Sequence, residues 1–444
     1  MTSSPLQTPY MSPKPSEEEF SQLFEKFYQY QQNQSPLALL KEKWWLKFLE
    51  KGFPDRRNDA FRYLPLSQLY HHLFVMEEPA KSLPQIPTMP KNAAAQFVFV
   101  NGVFIPSLSQ TDKLPSSLYF APLSSALRTY GAFIQNRTAM LLKNENDPFA
   151  CLNGALQTEP LFLYCPPKVI VEEPIVILNY VTKGEAPLCV APRIQLFAGK
   201  EAQLQLSCMT ISENERSYFS NQLIDIALEE NAQLHLSLIE TPPAHAWSFQ
   251  SIRAQLKRNS RFTSTSGSSG SKTHRQSYHA ILLEENAQCD LNGLWMNKDQ
   301  CQTHTHVLIE HLAPHCQSRQ LFKGALTDQS RSSFEGKIYV HSEAQKTDAF
   351  QRNNNLILSN QAIAYSKPNL EILADDVKAS HGATFGQLSE NELFYLQTRG
   401  LSKSLASKLL IKGFTDEIVD QLPLPQMQAA MAVAIAQVCE KTCG

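Results

Sequence analysis

The sequence predicts a mainly β protein with helical ends, and three observations carry that prediction. Apolar residues recur at helical spacing near both termini. From Gln96 to Pro368 the pattern switches to short alternating or β-branched runs separated by polar turns. Within that stretch one turn-plus-strand unit recurs. Ala202-Gln203-Leu204-Gln205-Leu206, Ala232-Gln233-Leu234-His235-Leu236 and Ala287-Gln288-Cys289-Asp290-Leu291 each place apolar residues at every second position, so one strand face turns inward. Glu-Glu-Asn precedes the second and third copies, at Glu229–Asn231 and Glu284–Asn286. Such a unit fits the stacked rungs of a β-helix or related solenoid. The copies are unevenly spaced, which leaves a β-sandwich as the alternative.

Residues 1–15 are rich in Pro and Ser and read as a disordered tail. Residues 16–95 read as an N-terminal helical domain and linker. Phe20, Leu23, Phe24 and Phe27 follow i, i+3, i+4, i+7 spacing. Leu40, Trp44, Leu46 and Phe48 continue an apolar segment that Gly52 and Pro54 end. Residues 96–388 form the β core, with runs such as Phe97–Phe104 and Val169–Tyr180. Residues 389–444 return to helix. Ser389 and Glu392 match a capping box, and Gly400 is a natural stop. Ser402 caps a second helix through Leu405, Leu409 and Leu410, ended by Gly413. Met427, Met431, Ala434, Ile435 and Val438 mark one face of a third.

With 43% hydrophobic and 18% charged residues, the 444-residue chain has an ordinary globular composition. A formal net charge of −2 supplies no field for nucleic acid or an anionic membrane. No apolar run reaches the about 18 residues of a membrane span, and the first twenty residues lack a signal peptide's apolar region. The nine cysteines form no C-x-x-C pair. They read as reduced thiols of a cytoplasmic protein, most of them small buried hydrophobes.

Gly267-Ser268-Ser269-Gly270-Ser271-Lys272-Thr273 resembles a phosphate-binding loop but lacks the glycine directly before lysine that wraps the backbone round a phosphate. It reads as a flexible loop between strands, so the chain is not itself an ATPase. Cys301, His304, His306, Glu310, His311, His315 and Cys316 form the densest ligand cluster. On a strand, His304 and His306 share a face about 7 Å apart, as zinc or iron ligands can. The plainer reading is a polar outer face before a turn at Pro314. The metal reading would make the chain a β-helix enzyme, a polysaccharide lyase or metal-dependent hydrolase. Asp375 and Asp376 are adjacent, so in an extended strand they point to opposite faces, a poor catalytic pair. Downstream, His381 stands between Ser380 and Gly382, with no bulky neighbour to cover its imidazole.

The run Lys367-Pro368-Asn369-Leu370-Glu371-Ile372-Leu373-Ala374-Asp375-Asp376-Val377-Lys378-Ala379-Ser380-His381-Gly382-Ala383-Thr384-Phe385-Gly386 matches the pattern K-P-x-L-E-I-x-x-D-D-V-x-x-S-H-G-A-T-x-G. Leu393, Phe394, Tyr395, Leu396, Arg399 and Gly400, then Ala406, Leu409, Leu410, Ile411, Phe414 and Glu417, continue it. On these residues the chain resembles the SufB/SufD family over nearly its whole length. His381-Gly382-Ala383-Thr384 in place of His-Glu-Ala-Thr, and no cysteine in Gln351–Asn355, place it with the SufD branch rather than the SufB branch. Gly52 to Tyr63 resembles that branch's G-x-P…E-x-W-K-Y-T, departing at Asp59, Phe61 and Leu64. Many SufD proteins carry cysteine where this chain has Ala379.

The resemblance implies a right-handed parallel β-helix core flanked by N-terminal and C-terminal α-helical domains. It implies a non-catalytic scaffold in iron–sulfur cluster assembly and iron acquisition, with SufB and the ATPase SufC as partners and a homodimer as the form in isolation. Phe414 and Glu417 would dock SufC. The His381 loop would face SufB, and His381 would be the one iron ligand there. No cofactor would be held tightly by the chain alone, with a transient cluster or iron at the SufB interface.

Overall fold

The computed structural model describes residues 16–32, 35–55, 57–77, 84–213 and 216–443, so the tail read as disordered lies outside the described residues. Helices α1 (Glu17–Gln32), α2 (Ala38–Lys51) and α3 (Leu66–Tyr70) come first. Strands β1 (Ala95–Val100), β2 (Val103–Phe104) and β3 (Tyr119–Pro122) follow, then α4 (Leu123–Asn144) and α5 (Pro148–Leu156). Next come β4 (Leu161–Cys165), β5 (Ile175–Val181), β6 (Leu188–Val190), β7 (Arg193–Ala198), β8 (Gln203–Ser212), β9 (Tyr218–Leu228), β10 (Gln233–Glu240), β11 (Trp247–Leu256) and β12 (Arg261–Ser269). The later strands are β13 (Thr273–Leu282), β14 (Gln288–Asn297), β15 (Gln302–His311), β16 (Gln317–Leu326), β17 (Arg331–Val340), β18 (Asp348–Ile357), β19 (Ile363–Ile372) and β20 (Lys378–Gly386). Helices α6 (Glu390–Thr398), α7 (Lys403–Val419) and α8 (Pro425–Cys443) close the described chain.

From β7 onward successive strands alternate between two sheets. One runs β2-β1-β5-β8-β10-β12-β14-β16-β18-β20, the other β19-β17-β15-β13-β11-β9-β7-β4-β3 with β6 beside β9. The stacked strands pair in parallel, each with the strand two steps along the chain. That is a parallel β-helix, not the hairpin-built sandwich. Antiparallel pairing occurs where β2 joins β1 and β3 joins β4.

The recurring sequence unit is the corner of each rung. Glu201, Asn231, Asn259, Asn286, His315 and Lys346 all adopt positive φ, two residues before β8, β10, β12, β14, β16 and β18. Asparagine tolerates this left-handed conformation better than most side chains, which explains the repeated Glu-Glu-Asn. Each corner N–H bonds the next rung: Asn231 N donates to Arg258 O (2.9 Å), Asn259 N to Glu285 O (3.0 Å) and His315 N to Gln345 O (2.9 Å). The small residue that follows, Ala202, Ala232 or Ala287, is fully buried inside the turn. Leu204 and Leu206, Leu234 and Leu236, and Cys289 and Leu291 then fill the interior with Ile224, Ile252, Val307 and Phe334. The inward alternation read from the sequence is the alternation observed.

The two outer faces are covered by different helices. Phe20 and Phe24 of α1, Trp44 and Phe48 of α2, and Phe149 and Leu152 of α5 pack on Phe219, Trp247 and Phe249 of one sheet. Buried ion pairs reinforce that seam: Arg137–Asp225 (2.6 Å), Arg253–Glu145 (2.7 Å) and Arg275–Asp147 (2.8 Å). Ile411, Met427, Met431 and Val438 pack on Ile239, Leu294, Met296 and Ala325 of the other sheet.

Three local readings change. Helices α4 and α5 lie inside the stretch read as β core. Helix α7 continues through Gly413 to Val419 instead of ending there; Gly413 is exposed, and an added Cβ would meet nothing, so no turn needs its freedom. Gly267 to Ser269 belong to the buried end of β12, against Met431, and form no flexible loop.

Candidate functional site

The two sheets end on the short antiparallel strands β2 and β3 at one end of the β-helix and on the long parallel strands β20 and β19 at the other. β20 pairs with β18 alone and β19 with β17 alone, so each is the edge of its sheet. Burial follows: β18 still buries alternate residues, whereas β20 is mostly exposed along its length. His381 lies on this last strand and not in a loop, because the small residues around it are extended and hydrogen-bonded to β18. Its partner in register is Gln351, whose own partner is Gln320, whose partner is Leu291 of the apolar interior. Residues in register on parallel strands share a face, so His381 heads the inward column at the mouth of the β-helix. The column changes from hydrocarbon to amide to imidazole as it nears solvent. Gln351 Nε2 donates to Gln320 Oε1 (2.8 Å), which fixes the amides beneath the imidazole.

The exposed imidazole is accompanied on β20 by Ala379, Ala383 and Phe385, and Phe385 is itself exposed. Exposed Phe350 of β18 and Leu373, just past the end of β19, lie nearby, with the Arg319 guanidinium 4.6 Å from the Phe350 ring centre. The adjacent carboxylates sit at the corner before β20, where exposed Asp376 pairs with Lys346.

Phe414 and Glu417 lie elsewhere, on α7, and meet on one lysine. Lys323 of β16 donates to Phe414 O (2.9 Å), lies 5.0 Å from the Phe414 ring centre, and pairs with Glu417 at 2.5 Å. Both residues are thus engaged within the chain, pinning α7 to the β-helix. The exposed apolar groups of this module are others: Phe394 (69%), Tyr395 (56%), Leu405 (46%) and Leu409 (44%). Leu405 and Leu409 lie on the helix read from Ser402 onward, but α7 buries Ala406, Ser407, Ile411, Thr415 and Ile418 and leaves these leucines exposed. The missed signal is the small-residue face Ala406-Ser407, which lets the helix approach its neighbour and turns the leucines outward.

His304 and His306 share the outer face of β15, as strand alternation requires. His304 is buried with Nδ1 on Ser333 Oγ (2.8 Å) and Nε2 on Gln302 Oε1 (3.3 Å). Burial pushes both imidazoles down to about 3. Cys301 and Cys316 act as thiol donors, to Gly270 O and Glu284 O at 3.3 Å each, and burial raises both thiols to about 11. Among the described residues no group of three or more His, Cys, Asp or Glu is arranged to hold a metal ion. No described helix is long and apolar enough to cross a membrane.

Comparison with known proteins agrees with this arrangement. Residues 180–414 match the family model described as the SUF system FeS cluster assembly SufBD core domain, and residues 14–177 match the SufBD protein N-terminal region. An iron–sulfur cluster assembly SufBD family protein of Synechocystis is 29% identical over 399 residues, spanning 86% of this chain and 87% of that protein. Iron-sulfur cluster assembly protein SufD of Escherichia coli is 29% identical over 385 residues, spanning 85% of this chain and 87% of its own. The chloroplastic protein ABCI7 of Arabidopsis thaliana is 26% identical over 414 residues. Two family models that together run from the first helix to α7 leave one conclusion: the chain belongs to the SufBD family of the SUF iron–sulfur cluster assembly system.

Proposed function

We propose that this chain is a non-catalytic scaffold of SUF cluster assembly. It pairs with SufB through the open mouth of the β-helix and docks the ATPase SufC on its C-terminal helices. It presents His381 to iron or a nascent cluster as cargo at the SufB junction. The observation that carries this reading is the uncapped last rung with His381 at the head of an inward column. An open parallel edge offers unpaired N–H and C=O groups to another strand, and the exposed aromatics beside it supply apolar contact. A neutral imidazole is a borderline ligand suited to iron. Ala379 and Ala383, on the same face, supply no second ligand, so the remainder must come from the partner.

The SufC surface is the exposed apolar set Phe394, Tyr395, Leu405 and Leu409. Phe414, half-buried, and Glu417, exposed, hold the same helix on Lys323, so that force applied to the helices reaches β16, and both remain candidates for SufC contact. Co-expression of the chain with SufB and SufC, followed by native mass measurement and iron and sulfide analysis, tests the reading. A complex containing all three chains and accumulating iron and sulfide is expected. Recovery of this chain alone from that co-expression would overturn it.

A further inference from the structure

Two stretches that carry the family resemblance lie about 300 positions apart in sequence, and they meet in space. Residues 58–65, between α2 and α3, form a strap on the outer face of the sheet that ends in β19. Tyr63 stacks on Tyr365 of β19, with ring centres 4.4 Å apart and planes 19° from parallel. The Asp59 carboxylate lies 3.6 Å from Lys367 Nζ on the same strand. Glu335 of β17 takes that ammonium from the other side at 3.3 Å. Tyr365 and Lys367 are two residues apart, so both point to the outer face.

The rest of the strap is anchored elsewhere. Phe61 and Leu64 are buried among the N-terminal helices. Phe61 lies 4.4 Å beneath the Arg275 guanidinium and 5.8 Å from the Phe149 ring. Cavities of about 830 and about 650 Å³ flank the strap, the first lined by Asn58, Ala60 and Phe61, the second by Tyr63 and Pro65. Two buried residues thus fix the strap to the helical domain, and two others reach the last rung of this sheet.

That rung needs a hold. β19 is hydrogen-bonded to β17 alone, and its residues alternate between exposed and half-buried with none fully buried. Pro368 within it has no N–H to give. Segments with so few buried contacts open at low free energy. We propose that Asp59 and Tyr63 are positioning residues for the mouth: they hold β19 extended and paired, so that its edge is ordered before SufB arrives. Ordering the edge in advance removes that cost from the encounter. The benefit to pairing rests on the scaffold reading above, whereas the hold itself belongs to the isolated chain. The contacts leave Tyr365 39% exposed, so they add little to the burial that stabilises the whole fold.

The test is hydrogen exchange of the full chain, read by peptide mass, together with native mass measurement after co-expression with SufB. In the double variant Asp59→Asn, Tyr63→Ala, the β19 amides are expected to exchange at least fivefold faster. Those of β10 and β12 should keep their native rates, and the urea midpoint should not move. The share of chain recovered with SufB should fall at least fivefold. Tyr63→Phe alone, which keeps the stacked ring, should match the native chain in both measurements. Unchanged β19 exchange in the double variant overturns the proposal. So does faster exchange spread over all rungs or a lowered urea midpoint, since either makes the two residues part of the global fold. Faster β19 exchange with undiminished SufB recovery overturns the positioning role. A native chain that does not pair with SufB at all removes the scaffold reading instead, and β19 exchange then decides the hold by itself.

Discussion

His381 and Gln351 stand thirty positions apart in sequence and one rung apart in space. The motif around His381 was legible: small flanking residues and a strand-like run before it marked an accessible imidazole. Its place on a strand was not, because extended backbone there depends on hydrogen bonds to β18, a partner that local sequence does not reveal. The ligand role separates from a purely packing role by substitution. His381→Ala should leave the complex with SufB and SufC assembled, since the side chain buries nothing, while iron and sulfide content drops severalfold. His381→Cys should restore part of that content, as thiolate also binds iron, and His381→Gln should not. Full iron content in the alanine variant, measured on the co-expressed complex, removes His381 as a ligand. Rescue by glutamine instead of cysteine makes it a hydrogen-bonding residue of the interface.

Among the elements, α7 shows how local propensity and tertiary context diverge. A glycine inside a helix costs about 1 kcal/mol relative to alanine, which made Gly413 look like an end. Packing of Ile411 and Ile418 on either side outweighs that cost and carries the helix to Val419. The same packing assigns different jobs to the two faces of the module. Phe414→Ala removes a half-buried ring from beneath Lys323 and should destabilise the chain by roughly 1–3 kcal/mol in urea unfolding. Phe394→Ala, at an exposed position, should leave that stability unchanged yet weaken SufC binding by more than about 2 kcal/mol if it anchors the interface. Titrations with SufC decide between them. Weakened binding by Phe414→Ala at unchanged stability, with Phe394→Ala neutral, would move the docking face to Phe414 and Glu417. The capping residues were legible because they act locally: Ser389 Oγ accepts from Glu392 N (3.3 Å) and Ser402 Oγ from Leu405 N (3.3 Å).

For the whole molecule, the alternation of strands was readable but the rung period was not. Successive corners stand from 27 positions apart (Asn259 to Asn286) to 33 (Lys168 to Glu201), so no fixed repeat length emerges. The corners share one left-handed residue; Gly270, Asp299 and Asp328 at the turns before β13, β15 and β17 also adopt positive φ. Stacking rungs also buries imidazoles whose charging must wait for unfolding. Burial lowers His274 and His311 to about 4 and His304 and His306 to about 3. The unfolded chain takes up these protons below about 6.5, so between that pH and the folded values it binds more protons than the native state, and stability falls as pH falls. Each such group changes stability by up to about 1.4 kcal/mol per pH unit. Glu240, raised to about 7 by burial, and Glu335, also raised by burial, work in the opposite sense but are outnumbered by the four imidazoles. The urea midpoint should therefore decline steadily from pH 6.5 to pH 4.5, and His304→Gln should flatten the decline. A midpoint that holds constant or rises over that range contradicts the assignment of neutral buried imidazoles. The asymmetry of the two ends has a separate outcome for stoichiometry. A β-helix with both ends bare could add subunits indefinitely and grow into a fibre. Here the short antiparallel strands β2 and β3 terminate the sheets at one end, so under the proposed pairing a single mouth-to-mouth encounter would use up the β19 and β20 edges and growth would stop at a pair.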